Sequence, residues 1–288
     1  MIFAIFSRQL NSERTKNLFQ ELVLFLKEEG QTVLVHENLY HEVKEKEDIG
    51  SFKSLDGKRK VNFLLSLGGD GTILETLSII KNTGIPVLGI NMGRLGFLAS
   101  TVQEEYQSAI KQLLKGKYSI SSRTLLQLDS SEKIFDYNVG LNDFVIHKTE
   151  TSSMITVKTY LNGEFLNSYW ADGLIIATPT GSSGYSLSCG GPILFPGSSS
   201  FAITPIAPHN LNVRPIVISD QNVLSFKVEG RSHRFLTSID SRSESITPNV
   251  EIAIKKADFC FNLIRLEGQN FHTTLRNKMM WGVDRRNP

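Results

Sequence analysis

The fold is decided by residues 61–80, which read VNFLLSLGGDGTILETLSII. Residues 61–67 form a short apolar run, which is typical of a strand covered on both faces. From Ile73 onward the apolar residues repeat at helical spacing, which predicts a helix. The glycine-rich turn at residues 68–72 therefore lies where a buried strand passes into the N-terminus of a helix.

This turn suits an anion. Glycine has no side chain to keep a ligand away, and the unpaired N–H groups of a new helix carry partial positive charge. Phosphate is the expected ligand, and the predicted phosphate-binding residues are Gly68, Gly69, Gly71 and Thr72. The sequence contains neither Gly-x-Gly-x-x-Gly nor Gly-Lys-Ser/Thr, so the ordinary dinucleotide-binding and P-loop interpretations are disfavoured.

Asp70 is the unexpected residue in this turn, because its carboxylate would repel a phosphate. Beside a polyphosphate, an ionised Asp can hold a metal ion, accept hydrogen bonds from ribose hydroxyls, or take a proton from a hydroxyl that attacks phosphorus. These uses imply phosphoryl transfer and make Asp70 the candidate catalytic residue. The alternative is that Asp70 only caps the helix.

The N-terminal part of the chain has an α/β pattern. Residues 2–6 and 32–35 are predicted strands, and residues 14–29 between them are a predicted helix. With the strand and helix around Asp70, this order predicts a doubly wound parallel sheet whose ligand lies at the carboxyl ends of the strands.

Two further N-terminal stretches allow more than one interpretation. Residues 91–97 follow the predicted strand 85–90, and Arg94 among them could neutralise phosphate charge or lie at a surface or interface. The charged residues 41–48 and 58–60 fit a solvated helix and loop, or a lid that helps to hold ATP.

Beyond residue 100 the pattern changes to short alternating segments separated by turn residues, which predicts an all-β, sandwich-like domain. Asn162-Gly163 is the strongest hairpin signal. We therefore expect an α/β domain at 1–100, a β-rich domain at 101–266 and a C-terminal tail at 267–288, in which residues 273–280 are helical.

The composition of the 288 residues limits the classes of function. With 31 basic and 29 acidic residues, nothing indicates a nucleic-acid or membrane partner. Two cysteines cannot build a disulfide framework, and neither a membrane-spanning run nor a signal peptide is apparent, so we expect a cytoplasmic protein. No His, Cys or carboxylate spacing indicates a dedicated metal site.

Four stretches together resemble the NAD kinase family, at residues 68–72, 89–98, 141–143 and 172–188. The first alone is shared with diacylglycerol and sphingosine kinases and, more distantly, with phosphofructokinases. The resemblance extends over nearly the whole chain. It implies that ATP, with Mg²⁺, phosphorylates the 2′-hydroxyl of the adenosine ribose of NAD, and that the subunits form a homodimer or homotetramer.

The resemblance also implies the residues of the NAD site. Asn142 and Asp143 would hold the adenosine, since an Asn amide fits the N6 and N7 edge of adenine and a carboxylate fits the ribose hydroxyls. Taken by itself, an Asn-Asp pair is an ordinary turn. The further NAD-binding residues implied by the resemblance are Asp70, Gly71, Asp172, Thr180, Ser183, Tyr185 and Ser188.

Three details qualify this expected site. In the family, Asp172 often comes from a neighbouring subunit, and the C-terminal tail returns to the N-terminal domain. His209 and Asp240 are possible site residues, the latter matching a family acid near the reacting ribose. Gly184 stands where many relatives have Ala, a change expected to loosen the contact at the adenine.

Two alternatives to NAD kinase remain at this stage. A lipid kinase would use the same glycine turn but would need an apolar groove for acyl chains, without the Asn142-Asp143 pair. A non-catalytic sensor would bind the dinucleotide without forming NADP.

Overall fold

The computed structural model describes residues 1–44, 48–57, 59–93, 96–149 and 153–280. The chain divides into two compact units. Unit 1 comprises Met1–Ser122 and the chain from Asn262 onward, and unit 2 is Arg123–Phe261.

The elements follow in chain order. The first segment contains β1 Ile2–Phe6, α1 Glu13–Glu28, β2 Thr32–His36, β3 Ile49–Phe52, β4 Phe63–Leu67, α2 Asp70–Ile80, β5 Val87–Asn91, β6 Thr101–Val102, α3 Tyr106–Leu114 and β7 Tyr118–Arg123. The second contains β8 Leu126–Ser130, β9 Val139–Gly140, β10 Asp143–Lys148, β11 Ile155–Leu161, β12 Glu164–Ala171, β13 Gly173–Ala177, α4 Tyr185–Ser188, β14 Ser200–Ile206, β15 Ile216–Ser219, β16 Leu224–Glu229, β17 Phe235–Ile239, β18 Arg242–Ile246 and β19 Ile252–Lys256. The chain ends with β20 Phe261–Leu266 and α5 Phe271–Met279.

Unit 1 is built on a sheet with the strand order β3-β2-β1-β4-β5-β20-β7, and β6 pairs with β5. The pairs from β3 to β5 are parallel. The chain moves from β1 outward to β3 and then returns to β4 on the other side of β1. Ligands bind at such a reversal, outside the carboxyl ends of the strands, and the glycine turn follows β4 directly at this position.

Helices cover both faces of this sheet, which confirms the doubly wound fold. On one face, Phe3 packs in a buried cluster with Leu22 of α1 and Ile110 of α3. On the other face α2 lies so close that a Cβ on Gly89 would be 2.4 Å from Cδ1 of Ile73.

Unit 2 is a sandwich of two six-stranded sheets, β15-β14-β13-β10-β17-β18 and β12-β11-β16-β19-β8-β9. Side chains from both sheets share one buried cluster, in which the rings of Phe144 on β10 and Phe226 on β16 are 6.3 Å apart. Asn162 and Gly163 join β11 to β12 with φ values of 52° and 88°, as a type I′ hairpin requires. The expected sandwich-like domain is confirmed.

The boundary between the units differs from the one expected near residue 100. Helix α3 belongs to unit 1 because Tyr106 and Ile110 are part of its buried core, where the ring of Tyr106 meets that of Phe25 edge-on at 5.9 Å. The chain also returns to unit 1 at Asn262, so β20 lies in the parallel sheet and not in the sandwich. Helix α5 lies in unit 1 as well.

Some local expectations differ from the structure too. Alternation in residues 135–139 predicts a strand, but only Val139–Gly140 pairs there. In the charged passage, Glu37–Glu42 is a 3₁₀ helix and β3 adds an edge strand. Residues 45–47 and 58 of that passage lie outside the described residues. Among the described helices, none combines the length and apolarity needed to span a membrane.

Candidate active site

The glycine turn joins β4 to α2 with Gly69 at the N-cap position. Gly68 has φ 148°, and a Cβ there would lie 2.3 Å from Oγ1 of Thr72, so the scaffold itself requires this glycine. By contrast, a Cβ on Gly69 or Gly71 would meet no atom within 4 Å. These two glycines therefore leave open space beside the first N–H groups of α2, where an anion is favoured.

The carboxylate of Asp70 is held by backbone N–H groups of residues 97–99. Phe97 donates to Oδ2 at 2.7 Å, while Leu98 and Ala99 donate to Oδ1 at 3.0 and 2.9 Å. Gly69 is the N-cap residue of α2, and Asp70 is the first residue of the helix. Asp70 is therefore not a helix cap, and its position is set by a loop that follows it by nearly thirty residues.

That loop is shaped to receive Asp70. A Cβ on Gly96 would lie 1.7 Å from Oδ1 of Asp70, so only glycine fits there. The N–H of Gly96 donates to the carbonyl of Ala99 at 3.1 Å, and buried Asn91 accepts from the N–H of Gly93 at 2.6 Å. Arg94, for which the sequence predicts either phosphate neutralisation or a surface or interface role, lies outside the described residues.

In unit 2, Asn142 and Asp143 stand at the start of β10 and pack against the loop that follows β13. The N–H of Thr178 donates to the carbonyl of Asn142 at 2.9 Å, and its Oγ1 donates to the carbonyl of Leu141 at 2.6 Å. A Cβ on Gly181 would lie 2.1 Å from the Asn142 oxygen. The second glycine-rich stretch, residues 178–188, therefore packs directly on the backbone of Asn142.

Asp240 holds the same pair from the other side. Its carboxylate accepts from the N–H groups of Leu141, Asn142 and Asp143 at 3.0, 2.7 and 3.3 Å, and Arg242 lies 3.9 Å away. Burial raises the pKa of Asp240, although these N–H groups and Arg242 oppose the shift. The carboxylate of Asp240 therefore fixes the backbone of residues 141–143.

The carboxyl group of Asp143 is nearly buried, with 7% of the residue exposed. Burial raises its pKa to about 7, and the negative charge of Asp240 adds to the shift. A group with this pKa changes its charge near neutral pH, which is common at functional sites.

Other predicted site residues gather around Tyr185. Burial raises the pKa of Tyr185, and the charges of Cys189, Asp143 and Asp172 raise it further, so these groups are neighbours. Asp172 pairs with Lys148 at 2.6 Å. Thr180 and Ser183 lie in the preceding turn, where Oγ of Ser183 donates to the carbonyl of Thr180 at 3.4 Å, and Ser188 ends α4.

His209 makes a different contact. Its ring packs against that of Trp170 with the centroids 4.2 Å apart and the planes tilted by 48°, and its backbone N–H donates to the Trp170 carbonyl. Sequence reasoning did not single out Gly96, Thr178, Gly181 or Lys148. Gly96, Thr178 and Gly181 lie within the quoted family motifs. Apart from its charge, nothing in the sequence marks Lys148 as a site residue.

Comparisons with known proteins identify the family. The model of the ATP-NAD kinase N-terminal domain matches residues 3–118, and that of the C-terminal domain matches residues 141–266. The chain belongs to the ATP-NAD kinase family. The NAD kinases of Cytophaga hutchinsonii and Flavobacterium psychrophilum are 45% and 46% identical to this chain, and each alignment covers 100% of both sequences.

Solved structures of the family share the fold. Yeast NADH kinase complexed with NADH superimposes with a TM-score of 0.88 at 22% identity, covering 100% of this chain and 89% of the yeast chain. The NAD kinase from Archaeoglobus fulgidus in complex with ATP gives 0.73 at 24% identity, covering 97% and 99%.

In this member of the NAD kinase family, the predicted site residues lie on two separately built platforms. One is the glycine turn with Asp70 in unit 1, and the other is the Asn142-Asp143 pair with the Tyr185 loop in unit 2. On each platform, hydrogen bonds between a carboxylate and backbone N–H groups fix the local structure.

Proposed function

We propose that this chain is an ATP-dependent NAD kinase, which transfers the γ-phosphoryl group of ATP to the 2′-hydroxyl of the adenosine ribose of NAD and releases NADP and ADP. The observation that carries this is full-length similarity to NAD kinases, at 45% identity over 293 aligned residues. The open glycine turn at the switch point of the sheet supplies a suitable place for the phosphates.

Asp70 orients the attacking hydroxyl and accepts its proton. A carboxylate can accept about four hydrogen bonds. Leu98 and Ala99 use Oδ1, whereas Phe97 alone among the described residues donates to Oδ2. One acceptor position therefore remains on Oδ2, and the ribose hydroxyl takes it. The three N–H bonds hold the carboxylate in place, so that catalysis depends on positioning.

The NAD site of unit 2 holds the dinucleotide. Asn142 binds the adenine edge, and Asp143 in its ionised form accepts hydrogen bonds from ribose hydroxyls. We propose that Asp172, Thr180, Ser183, Tyr185 and Ser188 of unit 2 also bind NAD, and the same role is proposed for Gly71 of unit 1. Phosphate groups lie against Gly68, Gly69, Gly71 and Thr72.

Mg²⁺ enters with the nucleotide as the MgATP complex. The described residues contain no cluster of three His, Cys, Asp or Glu side chains suited to a metal ion. The phosphates of ATP would therefore supply most of the ligands, as is usual for Mg²⁺ in kinases. When bound in that complex, the ion would neutralise charge on the transferred group.

Two further proposals concern assembly and compartment. The subunits form a homodimer or homotetramer, which analytical ultracentrifugation of the intact protein would test. The enzyme acts in the cytoplasm, because both of its cysteines, Cys189 and Cys260, are free thiols and a reducing compartment suits them.

The deciding experiment measures NADP formation from NAD and MgATP in a coupled dehydrogenase assay. Wild type should form NADP, and Asp70→Asn should remain folded by circular dichroism but lose nearly all turnover. Asp258→Asn, which changes an exposed acid of unit 2, is the control. Phosphorylation of diacylglycerol in place of NAD would indicate a lipid kinase, and tight NAD binding without NADP would indicate a sensor.

A further inference from the structure

The loop that holds Asp70 is itself held by the C-terminal end of the chain. Both belong to unit 1, although about 170 residues separate them in sequence. The contacts involve a hydrogen-bonding side chain, Gln269, which precedes α5, and two side chains of α5, Phe271 and Lys278.

Gln269 ties the loop to the end of β20. Its Oε1 accepts from Oγ of Ser100 at 2.9 Å and from the N–H of Leu266 at 3.2 Å. Its Nε2 donates to the carbonyl of Ser100 at 3.2 Å and lies 3.5 Å from Oγ1 of Thr101. One amide therefore binds the residues that directly follow the N–H groups at 97–99.

Helix α5 contacts the loop at Phe97, whose N–H donates to Oδ2 of Asp70. The ring of Phe271 lies 6.4 Å from the ring of Phe97, tilted by 39°. The ammonium group of Lys278 lies over the same Phe97 ring, 4.8 Å from its centroid. An aromatic pair and a cation–π contact are both stabilising, and together they limit the movement of Phe97.

The core of unit 1 depends little on this helix. Of the nine residues of α5, only Leu275 is buried, and the helix begins with its own cap, in which Asn270 accepts from the N–H of Thr273 at 2.8 Å. A helix that buries one side chain adds little to stability. Its aromatic and cationic side chains are instead placed on Phe97.

We propose that Gln269, Phe271 and Lys278 are positioning residues for phosphoryl transfer, which act by fixing the loop at residues 97–101 and, through it, the carboxylate of Asp70. This inference rests on the proposed role of Asp70. It assigns the C-terminal segment a part in setting kcat, since a small misplacement of a reacting group is costly even when its cause is remote.

The test uses the full chain and the variants Phe271→Ala, Gln269→Ala and Lys278→Ala. Arg276→Ala is the matched control, because it removes one positive charge from an exposed position of the same helix. Phe271→Tyr keeps the aromatic ring and should retain wild-type behaviour. Two quantities are measured: the kinetics of NADP formation, and amide hydrogen exchange of the peptide containing residues 97–101 in the substrate-free enzyme.

We expect faster exchange at residues 97–101 in Phe271→Ala and Gln269→Ala, and a fall of about tenfold in kcat with KM for NAD and ATP within about twofold of wild type. Lys278→Ala should show a smaller change in the same direction, and Arg276→Ala none.

Unchanged exchange at residues 97–101 in both Phe271→Ala and Gln269→Ala would overturn the inference. So would faster exchange with wild-type kcat, because the loop would then be held without any benefit to the reaction. A wild-type enzyme that forms no NADP would contradict the proposed function, whereas the exchange measurement would still decide whether these residues hold the loop.

Discussion

The N–H of Asn142 donates to Oδ1 of Asp240 at 2.7 Å, although the two residues are 98 positions apart. Asp240 has φ 52°, and its side chain is only 3% exposed, with the carboxylate directed toward the turn that precedes β10. Asn142, which is proposed to bind adenine, is therefore held in position by Asp240, which lies in the turn between β17 and β18 of the same unit. A buried acceptor of several N–H groups is costly to lose, because each donor is left unpaired.

Asp240→Ala should lower the free energy of unfolding by about 3 kcal/mol, since buried N–H groups and Arg242 lose their partner. Asp240→Asn keeps the shape and one acceptor oxygen, so it should cost about half as much and raise KM for NAD by about tenfold, with less effect on KM for ATP. Urea denaturation and steady-state kinetics measure these effects. Asp258→Ala is the control, and equal losses in the control and in Asp240→Ala would contradict this role.

The affinity for NAD should depend on pH through Asp143, whose pKa is raised to about 7 by burial and by Asp240. The ionised carboxylate accepts hydrogen bonds on both of its oxygens, whereas the protonated form carries a hydrogen on one of them. NAD should therefore bind about tenfold more weakly at pH 6 than at pH 8. Calorimetric titration with NAD measures this dependence, and Asp143→Asn should abolish it. A flat profile for wild type would show that the ionisation of Asp143 does not matter for binding.

The raised pKa of Asp143 also makes the free energy of unfolding depend on pH. An acid whose pKa is lowered by folding adds stability as pH rises, whereas Asp143 has the opposite effect. Between pH 3.8 and about 7, the folded chain retains a proton on Asp143 that the unfolded chain has released. The contribution of this residue to stability therefore declines as pH rises through that window and is constant above it. Asp143→Asn should be more stable than wild type at pH 8, and the difference should narrow towards pH 4. Denaturation curves at both pH values test this, and a difference that is independent of pH would contradict it.

Gly96→Ala should displace the carboxylate of Asp70, because the new Cβ would lie 1.7 Å from Oδ1 and 2.5 Å from Cγ. We expect kcat to fall by about 100-fold. The loss of stability should be about 1–3 kcal/mol, as for other overpacked sites. Gly93→Ala is the matched control in the same loop, since its nearest contact would be 3.9 Å away. Equal kcat values for the two variants would exclude this role for Gly96.

Gly181→Ala should damage the NAD site specifically. A Cβ at Gly181 would lie 2.1 Å from the carbonyl oxygen and 2.7 Å from Cα of Asn142, and backbone cannot yield as a side chain can. KM for NAD should rise by about tenfold or more, with an accompanying loss of about 1–3 kcal/mol in stability. Gly184→Ala, whose nearest contact would be the Gly181 oxygen at 3.2 Å, should remain close to wild type. If Gly184→Ala were the more harmful of the two, the packing of this loop on Asn142 would not be the cause.

The sequence determined the local architecture, because hydrophobic periodicity and turn chemistry act between near neighbours. The run at residues 63–67 and the spacing from Ile73 to Ile80 fix β4 and α2, and Asn162-Gly163 fixes the hairpin between β11 and β12. The family motifs located the residues of both platforms. None of these signals needed contacts between distant parts of the chain.

Only the tertiary structure decided which groups each acid contacts. Asp70 and Asp240 look alike in sequence as carboxylates beside turns, yet Asp70 is held by residues 97–99 and Asp240 by residues 141–143. The sequence also did not reveal that α3, β20 and α5 belong to unit 1. Apolar periodicity shows that one face of an element is buried, but it does not show which core that face packs against. Hydrogen bonds that span about a hundred residues follow from the assembled fold, and periodicity over a few turns carries no information about them.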